Sequence, residues 1–144
     1  MNGMTLIVKT TTRLVLGFII IYAGSIILYG HLTPGGGFAG GVMLACAFIL
    51  LVLAMGKNSA LAIVSERKLS VWDCIGALAF LAIALLGYVT GDFFTNFIVR
   101  GTPLRLISGG TIMWSNIAIG IKVSASLFAV FIALACLRLA GDDK

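Results

Sequence analysis

The chain has 144 residues, 60% of them hydrophobic and only 10% charged. With a mean hydropathy of +1.15, this excludes an ordinary soluble domain, in which about a quarter of residues are charged. The formal charge of +5 then reads as basic residues flanking membrane spans, not as a nucleic-acid surface.

A bilayer core takes about 20 apolar residues per helix, and four runs approach or meet that length. The first is Leu14–Gly30, preceded by Lys9 and Arg13. No A-x-A site follows it and the next run begins almost at once, so a retained helix is predicted, not a signal peptide. It carries a polar stripe of Tyr22, Ser25 and Tyr29 at i, i+3 and i+7. The second run is Gly37–Met55. The third is Val71–Thr90, with Asp73 expected at its boundary. The fourth is Ile112–Leu139, with Lys122 inside it. Helices are the form that satisfies backbone groups in lipid, and these runs lack the alternation of a barrel. The prediction is a single all-α membrane domain, 1–144, a bundle of four transmembrane helices.

Lys9, Arg13, Lys57, Arg67, Lys68, Arg138 and Lys144 fall on one side of such a bundle, Arg100 and Arg105 on the other. The positive-inside rule places both termini in the cytoplasm. Trp72 and Trp114 fall near span ends. The loop Gly91–Thr111 is rich in aromatics and suits a membrane surface or a partner. Cys46, Cys74 and Cys136 lie in apolar runs without C-x-x-C pairing, and are expected to be small buried residues.

Between the first two runs stands "YGHLTPGGGFAGG", Tyr29–Gly41, with six glycines and the single His. Pro34 suits the first turn of a helix. Gly35 and Gly36 permit a turn with positive φ. Gly36–Gly40 and Gly37–Gly41 are small-xxx-small pairs, the second extended by Ala45, which let helices approach closely. Gly17 and Gly24 on the first helix, and Gly87 and Gly91 on or after the third, are the matching small residues. The GK[ST] of a phosphate loop is absent. His31 can relay protons or bond to the turn.

Lys122 lies about ten residues, roughly 15 Å, into the last helix. A charge there is costly unless paired or hydrated. With Asp73 and Asp92 at opposite ends of the third helix, its partner is expected to be water or a carboxylate of another protein. Ser115, Lys122 and Ser126 fall at i, i+7 and i+11 on one face, with Asn116 beside it. Such a stripe lines a hydrated path or holds helices together; both readings stay open.

"GHLTPGGGFAGG" resembles the signature of the small B-type subunit of Mrp-type multisubunit cation/proton antiporters, also called Mnh or Sha. His31, Pro34, Gly35, Gly36, Gly37, Phe38, Gly40 and Gly41 carry the resemblance. It implies a four-helix accessory subunit of a hetero-oligomeric complex in the cell membrane that exchanges Na+ or another monovalent cation for protons. In that reading Lys122 is the ionisable member of an ion or proton path, supported by Asn116 and Ser115, with His31 at its outer mouth. "NIAIGIKV", Asn116–Val123, differs from the "FDLGVY"-like stretch of the stand-alone antiporters. It is more similar to the forms in hydrogenase-like redox complexes, so redox subunits are alternative partners. A purely structural brace and a small homo-oligomeric channel are the other readings. No nucleophile–base pair, ligand set or nucleotide loop indicates catalysis, and no cofactor or metal is expected.

Overall fold

The computed structural model describes residues 4–56, 66–98 and 106–142. Lys57, Arg100, Arg105 and Lys144 lie outside them, as do the side chains of Arg138 and Cys136. Among the described residues four long helices follow one another: α1 (Leu6–Tyr29), α2 (Gly37–Met55), α3 (Glu66–Leu86) and α4 (Thr111–Asp142). Short 3-10 turns, Gly87–Val89 and Leu106–Gly109, follow α3 and precede α4. Each long helix holds a segment long and apolar enough to cross a membrane.

Two helices start earlier than hydropathy predicts, α1 at Leu6 and α3 at Glu66. Lys9, Arg13, Arg67 and Lys68 lower the local hydropathy without opposing helix formation. Lys and Arg are good helix formers, and their stems lie along apolar surface while the charge reaches water. The early start of α3 matters, because it carries Asp73 about two turns into the helix.

Successive helices run in opposite directions. At one end Met4 N donates to Ala54 O at 3.2 Å, tying the start of α1 to the end of α2. At the other end the chain reverses between Tyr29 and Gly37. Leu32 N and Thr33 N both donate to Tyr29 O, at 2.8 and 3.0 Å, closing the end of α1. Gly35 and Gly36 then take φ of 146° and 111°, which side chains disfavour. Pro34 therefore sits in the turn, ahead of α2 and not in its first turn as expected.

The helices form a row more than a closed bundle. α4 packs against both α2 and α3; α1 packs against α2 and touches α4. The apolar core lies between α2, α3 and α4, where Val52, Leu69, Phe128 and Ile132 are buried. Phe48 tilts against Phe128 with ring centroids 5.7 Å apart. Leu14, Phe18 and Ile21 on α1 and Leu78 and Leu81 on α3 stay exposed, as a lipid or protein environment in the membrane requires. Cys46 and Cys74 also face outward. The expectation that they are buried fails because a row of helices leaves most of each helix surface uncovered.

After α3, Phe94 N donates to Ala84 O at 3.2 Å, and the Phe94 ring lies 5.5 Å from that of Phe80. Asn96 Oδ1 accepts from Thr111 N at 3.1 Å and so caps α4. The described part of the aromatic loop thus folds back over the ends of α3 and α4.

Candidate functional site

Two places on α4 gather the residues singled out above. The first is the glycine turn. A Cβ on Gly37 would run into the backbone carbonyl of Asn116 and meet Ile119 Cβ at 2.9 Å. One on Gly41 would meet Gly120 O and Val123 Cβ, each at 2.9 Å. The Gly37–Gly41 pair is therefore the seam between α2 and α4, continued by the buried Ala45. Gly40 points elsewhere: its Cβ would press on Ile27 and lie 2.9 Å from Ala23 O, so it seats α2 on α1.

The other expected glycines make no helix contact of this kind. Nothing lies within 4 Å of a Cβ on Gly17, Gly24 or Gly91, and Gly87 packs against the turn at Phe94 and Thr95. α1 offers Ala23 and Ile27 to α2, which rotates its two glycines away. The Tyr22–Ser25–Tyr29 stripe is exposed and does not face the stripe on α4.

Asn116 lies where the turn meets α4. A Cβ on Gly30 would sit 2.8 Å from its Nδ2, and one on Gly36 would sit 3.5 Å from its Oδ1. Its Nδ2 is buried without a hydrogen-bond partner among the described residues. The His31 ring lies against the turn that precedes α4: a Cβ on Gly109 would meet its Cγ at 2.8 Å. Ser115 is buried, and its hydroxyl donates back to Thr111 O at 3.0 Å within its own helix.

The second place is Lys122. Its Nζ lies 2.8 Å from Asp73 Oδ1, and the Ser126 hydroxyl donates to the same oxygen. The expectation that Lys122 finds its partner in water or another protein is thus corrected: the carboxylate is in this chain. Asp73 sits inside α3 and not at a boundary, since that helix begins at Glu66. Gly76, one turn further on, allows the approach. Its Cβ would meet Lys122 Cβ and Lys122 N at 2.9 Å, so any larger residue would push α4 away.

This cluster is not sealed. The side chains of Lys122 and Asp73 remain 44% and 35% exposed, although both belong to membrane-spanning segments. Asp73 escaped the sequence reading as a site residue; the signal that could have found it was Gly76 at i+3 on the same helix. Asn116 precedes Lys122 by six residues, about 9 Å along α4. Asn116 faces the turn and Lys122 faces α3, so this chain does not bring His31, Asn116, Ser115 and Lys122 into one cluster. Among the described residues no three His, Cys, Asp or Glu side chains gather to hold a metal.

Residues 7–129 match the family described as "Domain related to MnhB subunit of Na+/H+ antiporter". An uncharacterized protein of Methanocaldococcus jannaschii is 38% identical over 117 residues, 76% of this chain and 44% of its own length. A B-type Na+/H+ antiporter subunit of Bacillus subtilis is 43% identical over 49 residues, 34% of each chain. Among solved structures, a chain of the membrane-bound sulfane sulfur reductase, an archaeal respiratory membrane complex, superposes with a TM-score of 0.75 at 30% identity. That match covers 90% of this chain and 60% of the other. The chain thus spans less than half of the archaeal relative and about a third of the bacterial one.

Proposed function

The chain belongs to the MnhB family, and from that premise we propose that it is an accessory membrane subunit of a multisubunit Mrp-type module. The module moves Na+ or another monovalent cation against protons, and the subunit contributes both to assembly and to the ion or proton route. The carrying observation is the Lys122–Asp73–Ser126 cluster, an ion pair inside two apolar helices with one side open. A charge facing hydrocarbon costs several kcal/mol, so this side of the row faces protein or water in the assembled complex. Both termini are assigned to the cytoplasm of a cell membrane, on the charge asymmetry of the loops.

The chemistry of the cluster suits exchange. Asp73 Oδ1 is held by an ammonium and a hydroxyl. A monovalent cation that reaches the carboxylate competes with Lys122 for the same oxygen. If Lys122 gives up a proton as the cation binds, the site's net charge is conserved. The subunit supplies the exchange point and carries no other chemistry; His31 and Asn116, at the end with the glycine turn, stand toward the outer mouth.

A second reading places the same subunit in a redox-driven ion pump. The observation favouring it is the similarity, over 90% of this chain, to a chain of a respiratory membrane complex. Affinity purification from native membranes distinguishes the two. Large antiporter-like subunits alone support the antiporter; the same subunits with iron–sulfur proteins support the redox pump. A chain recovered without partners would overturn both. Within the isolated complex, Lys122→Ala should remove cation-dependent proton flux while leaving the subunits assembled; unchanged flux would overturn the role given to Lys122.

A further inference from the structure

On another side of α4, away from Lys122, an apolar groove opens between α2, α3 and α4, with Ile27 of α1 also in its lining. It has a volume of about 350 Å³ and is lined by Leu44, Phe48, Leu69, Trp72, Ile121 and Phe128, among others. Ile117 and Phe128, both in its wall, are eleven residues apart, so the groove follows α4 for about 16 Å. Ser124 also lines it, but its hydroxyl is engaged with Ile121 O at 3.0 Å. The occupant is therefore apolar along this length. A hydrocarbon chain fits.

The groove's wall at the start of α3 is basic at its edge. Leu69 and Trp72 line it; Lys68 lies one turn before Trp72 on the same side of the helix and is exposed. An apolar slot ending at an exposed ammonium matches an amphiphile with a hydrocarbon tail and an anionic head. We propose that the groove binds one acyl chain of an anionic membrane phospholipid, with its phosphate held at Lys68. The site is independent of the ion-pair cluster.

Trp72 is a built-in reporter, and Val71, exposed beside it but outside the groove, is the place for a control Trp. The full chain with Trp114→Phe is reconstituted in vesicles containing tail-brominated phosphatidylglycerol, or the same mole fraction of tail-brominated phosphatidylcholine, as a minor component. Trp72 fluorescence is expected to be quenched more by the anionic lipid, with roughly five-fold enrichment from the one basic residue engaged. Lys68→Gln, an exposed change that leaves the fold intact, should reduce that preference about five-fold. Equal quenching by the two lipids would overturn the anionic assignment. Absence of quenching by either would show the groove filled by protein, a second copy included, and would overturn the lipid site. The same preference for a Trp at position 71, in a chain carrying Val71→Trp, Trp72→Phe and Trp114→Phe, would reveal general surface enrichment and overturn it as well.

Discussion

The contacts that α4 makes with α2 and with α3 are both built on glycine, and behave in opposite ways. Against α2, Gly37 and Gly41 bring backbone onto backbone, and a single methyl would collide with Asn116, Gly120 and Val123. Against α3, Gly76 brings the helices equally close, but the closeness delivers Lys122 to Asp73 on an open side. The first contact is closed and leaves no freedom; the second holds charge where a neighbour or a solvated ion can reach it. Close packing alone is therefore no guide to role. What decides it is whether the approach ends in a filled seam or in a polar group left accessible.

The sharpest way to break this contrast is to remove the charge and the seam separately. Lys122→Ala is expected to lower cation-dependent proton flux of the assembled complex by at least about tenfold, the equivalent of ~1.4 kcal/mol in a barrier. If assembly fails instead and Lys122→Arg restores it where Lys122→Met does not, the ion pair is a brace. Gly37→Ala overpacks the seam, at a cost of about 1–3 kcal/mol. It should lower the thermal midpoint of the chain in detergent, and flux should fall only in step with assembled complex. Ser126→Ala removes one hydrogen bond to Asp73 and should cost about 1 kcal/mol, read as a smaller drop in the same midpoint. Gly24→Ala, which meets nothing within 4 Å in the isolated chain, should change that midpoint least, within about 0.5 kcal/mol of the parent. Loss of complex assembly in that variant, with the midpoint kept, would mean that a partner helix lies on the open face of α1.

Much of the architecture was readable from local pattern. The apolar runs located all four helices, and the second, Gly37–Met55, to the residue. The positive φ of Gly35 and Gly36 followed from their position between two spans. The starts of α1 and α3 were misplaced because a hydropathy window penalises Lys9, Arg13, Arg67 and Lys68, whereas a helix does not. Misplacing α3 by five residues left Asp73 at a boundary and Lys122 without a partner. The buried faces were misjudged for the same kind of reason: composition reports that Gly17 or Cys46 could be packed, but not whether a neighbour is there.

The elements themselves are written along the chain: four helices, the turn between the first two, an ionisable group within the last. Hydropathy and glycine content act within a few residues, so they are legible locally. The pairing of Lys122 with Asp73, 49 residues away, came only from the packing of one helix on another. So did the division of α2's glycines between α1 and α4, and the separation of the open polar side from the apolar groove. Each depends on how one helix is rotated about its axis relative to the next, and each residue along a helix turns the facing side by about 100°. A polar stripe or small residue therefore acquires its partner only when two helices have settled against each other.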